Sequence, residues 1–355
     1  MAAVNAWTSG VPLDSAHEAS LAAFLFPAMV AGTDLRIDGP VSARLIEAVP
    51  AIQQIFRLWD RRAGIIRVGG SGTRTAVPPT PTGVGCFFSA GVDSFYSVLQ
   101  HRDEITELVF VHGFDVPLER ATASDRIVDG VRSAAAEMGK PLVEVWTDLR
   151  RFSDPRVSWN LYHGAALAMV AHLLSARFER VYVPATHTFA HLLPWGSHPL
   201  LDPLWSTEAL EIVHDGAGVT RPEKVEFVSA HDVALSWLRV CWESRATAYN
   251  CGSCEKCLRT MAALELSGAL QRSRTFPVRL DLAKIRRLRV QGDSGRAFWS
   301  DVAVRAGEKG NRALAEAAVA AMRRRGDLRK MAHRSIRVVR SLVRRGWSGK
   351  PQRSP

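Results

Sequence analysis

Phe88-Ser89-Ala90-Gly91-Val92-Asp93-Ser94 is the stretch on which the reading of this sequence turns. It closes the apolar run Val84–Phe88 and opens a helical pattern over Val92–His101, so it is the corner between a buried strand and a helix. Small residues let the backbone approach an anion at such a corner. Main-chain N–H groups at the helix start, with the hydroxyls of Ser89 and Ser94, would complete a phosphate cradle on the solvent side. A methyl group at Ala90 fits if the φ of that residue is negative. Asp93 would repel a bare phosphate, which points to a bridging Mg²⁺. The Gly-Lys-Ser/Thr ending of a Walker loop is absent. The plain alternative is a Ser-rich helix cap that binds nothing.

Outward from this corner the chain alternates. Apolar runs at Leu108–Val111, Leu142–Trp146 and Val181–Val183 read as strands, and a further strand is expected at Val225–Val228. Helical patterns cover Ser124–Met138 and Trp159–Ala176 between them. Strand and helix alternating at this pitch predict an α/β fold with a doubly wound parallel sheet. Upstream, Leu35–Ile37 and Ile65–Val68 read as strands around an apolar-periodic stretch, Val41–Trp59. Gly69-Gly70-Ser71-Gly72 and Pro78-Pro79-Thr80-Pro81 then break the chain. The expected organisation is a small amino-terminal α+β unit over 1–75, the main domain over 82–270 and a helical region over 271–355. Pro184 to Glu223 reads as a long loop carrying His187, His191, His198 and His214; loops of that length in a compact domain usually carry function. Arg221 and Lys224 near its end are candidates for phosphate contact, with solvated surface as the alternative.

Four of the five cysteines, Cys241, Cys251, Cys254 and Cys257, fall within seventeen residues. The spacing Cys-x9-Cys-x2-Cys-x2-Cys suits one tetrahedral Zn²⁺, with Gly252 easing the turn, and a closed four-thiolate site is structural. Redox sulfur transfer by a single cysteine is the rival reading. Cys86 lies inside the first strand and is expected to pack in the core.

The net charge of +11 belongs to one end of the chain. From Ala321 onward there are twelve basic residues and one acidic residue, Asp327, so the preceding 320 residues are neutral, with 34 of each sign. The charge therefore says nothing about a substrate of the main domain. Leu328, Met331, Ile336, Val339, Leu342 and Val343 recur at near-helical spacing among the arginines. They predict a basic amphipathic helix after Ala320 suited to an anionic membrane, a nucleic acid or an acidic protein, with a helix docked on its own domain or a disordered basic end as the alternative. No Lys or Arg precedes Arg36, and the most apolar early run, Leu21–Ala31, contains Pro27 and falls short of the roughly 20 residues a membrane span needs. A cytoplasmic location is expected.

Ser-Ala-Gly-Val-Asp-Ser after a first strand resembles the Ser-Gly-Gly-x-Asp-Ser signature of the PP-loop ATP pyrophosphatases, with Ala90 in place of the first glycine. Followed by the cysteine pattern, it is similar to 7-cyano-7-deazaguanine synthase over Val84 to Gly268, while residues 1–75, the proline-rich loop and the tail lie outside the likeness. The resemblance implies an adenine nucleotide alpha hydrolase-like fold. It also implies an ATP-dependent, AMP- and pyrophosphate-forming C–N ligase that adenylates a carboxylate for attack by ammonia or an amine. ATP would bind at Ser89, Ala90, Gly91, Val92, Asp93 and Ser94, with Asp93 and Ser94 catalytic and Asp115 near the adenosine. Such a fold sets its fourth strand beside its first, which would bring the loop after Val183 over the phosphates, with His187, His198 and Asp202 toward the acceptor and Trp195 as a stacking wall. The cofactors expected are ATP, Mg²⁺ and Zn²⁺. The partners are a small carboxylate and an amine donor, with a homodimer left open. A tRNA- or nucleoside-modifying sulfur transferase and a non-catalytic nucleotide-binding module are the alternatives.

Overall fold

Continuous burial along the central strands dictates two packed faces, and the chain supplies helices for both. In the computed structural model, described over residues 4–14, 17–70, 72–74, 82–115, 118, 121–241 and 249–323, the chain divides into a unit Met1–Leu280 and a unit Asp281–Pro355. The first begins with β1 (Ala6–Thr8), α1 (His17–Ala31), β2 (Leu35–Ile37), β3 (Val41–Ser42), α2 (Ala43–Trp59), β4 (Val68–Gly70) and β5 (Thr73–Arg74). It continues with β6 (Gly83–Phe87), α3 (Val92–Gln100), β7 (Glu107–His112), α4 (Ala121–Glu137), β8 (Leu142–Thr147), α5 (Leu149–Ser153) and α6 (Trp159–Leu173). β9 (Phe178–Pro184), β10 (Glu211–Asp215), α7 (Arg221–Val228), α8 (Asp232–Trp237) and α9 (Glu255–Leu266) complete it.

The main sheet has the order β1-β8-β7-β6-β9-β10, parallel throughout except for β1, which pairs antiparallel with β8. From β6 the chain builds outward through β7 and β8, then returns to lay β9 and β10 on the other side. The order therefore reverses at the β6–β9 seam, where open α/β sheets bind ligands beyond the carboxyl ends of their strands. Val84, Cys86, Phe88, Leu108, Phe110 and Tyr182 pack on one face with residues of α3, α4, α7, α8 and α9. Phe87, Val109, Val111, Val181 and Val183 pack on the other with residues of α1, α2 and α6. Fully buried Phe26 of α1 stacks on Phe56 of α2, centroids 4.3 Å apart; truncating it to Ala would cost about 3–5 kcal/mol.

Three expectations are corrected here. Val225–Val228 is the end of helix α7, started by a capping box in which Thr220 and Glu223 satisfy each other's backbone N–H groups, with Pro222 in the first turn. The missing strand is β10, inside the segment read as a loop. Ile65–Val68 is displaced to β4, Val68–Gly70. The amino-terminal elements lie in the unit that runs to Leu280: β1 extends the main sheet and α1 packs on α6.

The second unit contains α10 (Leu282–Arg287), α11 (Gly292–Glu308) and α12 (Arg312–Arg323), with Trp299, Val302, Ala306, Leu314 and Ala317 fully buried. Asp281 caps α10 by accepting from the N–H groups of Ala283 and Lys284. The amphipathic pattern from Leu328 to Val343 lies outside the described residues. Among those described, no helix is long and apolar enough to cross a membrane.

Candidate functional site

The corner after β6 is closed by its own groups. The Ser94 hydroxyl accepts from the Ser89 N–H at 3.3 Å and donates to the Gly91 carbonyl at 3.1 Å. Ser94 is thus buried and scaffolds the loop instead of facing solvent. Gly91 is the N-cap of α3 and supplies no side-chain cap, so the first N–H groups of the helix point out of the corner without a side-chain acceptor. Ala90 departs from expectation: its φ is +56°, alone among the described non-glycine residues in being positive. That conformation costs an L-residue about 1–2 kcal/mol. It turns the Ala90 carbonyl onto the Arg239 N–H, 2.8 Å away.

Asp93 does not stand alone in the first turn of α3. Arg221 donates to one of its oxygens at 2.8 Å and Lys224 to the other at 3.3 Å. Both cations are buried, contrary to the solvated alternative. The capping box of α7 sets them three residues apart on one helical face against α3. Lys224 also donates to the Ala185 carbonyl at 2.8 Å, tying the loop after β9 to the same point. Burial lowers its pKa and Asp93 opposes that shift.

The loop after β9 overlies this corner only in part. His187 is buried, and burial first, then the Arg221 charge, pushes its pKa down to about 4. Its ring contacts Trp195 at 5.3 Å between centroids, and Trp195 in turn meets His163 of α6 at 5.3 Å. The loop is latched to α6: Gly196 N–H donates to the Asn160 carbonyl at 2.7 Å, and Ser197 N–H to Nε2 of His163 at 3.2 Å. A Cβ on Gly164 would sit 1.9 Å from the Gly196 carbonyl, so the contact tolerates no side chain there. His198 and Asp202 turn the other way. Asp202 accepts from the Ser197 hydroxyl at 2.7 Å and the His198 N–H at 3.2 Å, and lies 2.7 Å from Nδ1 of His214. The His198 ring packs on Trp59 of α2, 5.1 Å between centroids. These two residues shape the loop from inside.

Asp115, exposed beyond β7, acts through its charge on His163 and on Lys256. The sequence reading passed over Lys256, Arg259 and His163. Lys256 lies in the first turn of α9, where the helix dipole disfavours a cation, and that anomaly was the available signal; Arg259 follows in the next turn. Arg259 is buried and pairs with Glu255 at 3.1 Å; Asp93 and Arg221 also act on it through their charges.

Around the start of α9, the sulfurs of Cys241, Cys251, Cys254 and Cys257 all lie within 4.8 Å of one another, a set that can hold a metal ion. Backbone N–H groups point at them, Cys254 N–H to Cys251 at 3.2 Å and Cys257 N–H to Cys254 at 3.4 Å. The side-chain hydrogen bond with Cys257, more than the backbone N–H groups, lowers the pKa of the Cys254 thiol. Gly252 has φ +63°, and a Cβ on it would lie 2.6 Å from Pro277. Cys86 is fully buried in β6, and burial raises its pKa well above the ordinary thiol range, as suits core packing.

No protein-family model, curated protein or solved structure matches the chain.

Proposed function

We propose that the protein is an ATP-dependent ligase that releases pyrophosphate and AMP, activating a carboxylate for attack by ammonia or an amine. The observation that carries this reading is the meeting of Arg221 and Lys224 with the uncapped amino terminus of α3 at the β6–β9 seam. A helix start with outward N–H groups and two buried cations is suited to a polyphosphate. In this reading a carboxylate oxygen attacks the α-phosphorus and pyrophosphate leaves. The amine then attacks the acyl carbon and AMP leaves. Arg221 and Lys224 move from Asp93 to the phosphates, and Asp93, so released, is the carboxylate that can reach Mg²⁺ on the nucleotide. Mg²⁺ would neutralise charge building on the departing pyrophosphate. Trp195, with His187 and His163 beside it, would wall the acceptor.

The four cysteines fit Zn²⁺ as a closed structural set, since all four sulfurs converge and none stands apart as a lone nucleophile. Pyrophosphate release from ATP, screened over candidate carboxylates with ammonium present, tests the reading. Release that depends on one carboxylate, with nitrogen incorporated into product, is the expected result. Sulfur incorporation instead would favour transfer chemistry, and nucleotide binding without release would leave a binding module.

A further inference from the structure

The loop after β9 is moored to two different elements. Its first half follows the end of β10: Ala185 N–H donates to the Asp215 carbonyl at 2.7 Å and Phe189 N–H to the Ala217 carbonyl at 2.8 Å. Its second half reaches α6, through Gly196 on the Asn160 carbonyl and Ser197 on His163. Between the moorings the Thr188 hydroxyl and the Trp195 ring N–H are buried with no partner among the described residues. Unmet buried donors favour an open, hydrated loop, so the moorings decide where Trp195 stands.

α6 is shaped for this contact on both sides. A Cβ on Gly164 would strike the Gly196 carbonyl, and a Cβ on Gly196 would lie 2.7 Å from Nδ1 of His163. The neighbours of the His163 ring also fix its protonation. The Trp159 carbonyl, 3.1 Å from Nδ1, can only accept, so Nδ1 carries the proton. The Ser197 N–H, 3.2 Å from Nε2, can only donate, so Nε2 is bare. The ring is therefore neutral, and burial lowers its pKa in the same sense. From Ser197 the hydrogen bonds continue through its hydroxyl to Asp202 and on to His214 of β10. Trp195, next to Gly196, is held edge-on between the rings of His163 and His187.

Resting on the acceptor wall of the reading above, we propose that His163 is the positioning residue for Trp195: its bare Nε2 holds Ser197, and so sets the indole that faces the acceptor carboxylate. Two substitutions test this atom by atom. The side-chain oxygen of His163→Gln reaches the place of Nε2 and still accepts from Ser197, whereas His163→Asn reaches only the place of Nδ1. In the full-length protein, hydrogen–deuterium exchange at the Gly196 and Ser197 amides should quicken about tenfold or more in His163→Asn and stay within about threefold of wild type in His163→Gln, with β6 and β7 unchanged in both. In pyrophosphate release, KM for the carboxylate that supports turnover should rise about tenfold in His163→Asn at nearly unchanged kcat, and His163→Gln should restore it. Wild-type exchange in both variants, or equal loss in both, overturns the role of Nε2. Independently of any variant's folding, ring nitrogen–proton correlation spectra of the wild type labelled with ¹⁵N-histidine should show His163 protonated on Nδ1 alone; a proton on Nε2 overturns the proposal. Quickened exchange in His163→Asn with an unmoved KM overturns the acceptor role. Wild type that binds no ATP and releases no pyrophosphate, with the exchange pattern as expected, strikes the ligase reading and leaves the hold of His163 on the loop standing.

Discussion

The loops after β6 and β9 leave adjacent strands at the same edge of the sheet, and each holds one shielded acid. Asp93 is answered by two cations drawn from another helix, Arg221 and Lys224. Asp202 is answered from its own neighbourhood, by Ser197, His198 and His214, and is 1% exposed. Cations paired with a carboxylate can be passed to another anion without breaking the loop, whereas Ser197 and His198 belong to the same loop as Asp202 and His214 ties it to β10. A buried acid is thus assigned by what partners it and whether those partners can be exchanged. Position in a loop near the site does not assign it.

The largest effect expected tests the first acid. Asp93→Asn should lower pyrophosphate release by a hundred- to a thousandfold, with metal content and far-ultraviolet circular dichroism unchanged. A variant at wild-type rate would place Asp93 beside Asp202 as a structural residue. Asp202→Asn should instead lower stability by about 3 kcal/mol in urea unfolding, with the rate per folded molecule within a few-fold of wild type. Lost turnover at unchanged stability would erase the distinction.

Acid should separate the two loops further. His187 has a folded pKa of about 4, below the 6.5 of an ordinary imidazole, so the unfolded chain binds the proton more readily. Stability from this group is complete above pH 6.5 and is lost as pH falls toward 4, by on the order of 2 kcal/mol. His187→Gln should flatten that slope in urea midpoints measured from pH 7.5 to 4.5; an unchanged slope would move the acid sensitivity elsewhere. The smallest effect belongs to the corner itself. Ala90→Gly should relieve the left-handed backbone and raise stability by up to about 1 kcal/mol, while Ala90→Val should lower it. Equal stability of the three proteins would mean that the residue relaxes out of the +56° conformation in solution.

What could be read from the sequence was local. Val84–Phe88 and Leu108–Val111 announce themselves because strands covered on both faces are continuous apolar runs. β10, Glu-Ile-Val-His-Asp, is an edge strand whose polar residues hide it. Val225-Glu226-Phe227-Val228 alternates like a strand, but the Thr220–Glu223 cap and Pro222 had already marked a helix. β1 has three residues and a partner far along the chain, which no window can see. The strand-to-helix corner after β6 and the convergence of the cysteines were legible because each is contiguous or nearly so. Lys256, Arg259 and His163 were not, since only the fold brings α6 and α9 toward the β6 corner. The φ of Ala90 was misjudged because the demand comes from Arg239, about 150 residues away in sequence.

The pairing of β1 with β8 also sets a timetable for synthesis. Ala6 meets Thr147, and α1 packs on α6, whose last residue is Leu173. At the usual 5–20 residues per second, the ribosome needs roughly 7–30 s after β1 emerges to deliver its partner. During that interval α1 has α2 but not α6 to pack against, so part of the surface of Leu21, Leu25, Phe26 and Met29, all fully buried in the finished protein, stays uncovered. Nascent chains arrested near residue 140 should therefore recruit chaperones or aggregate through this helix, and chains arrested well past α6 should not.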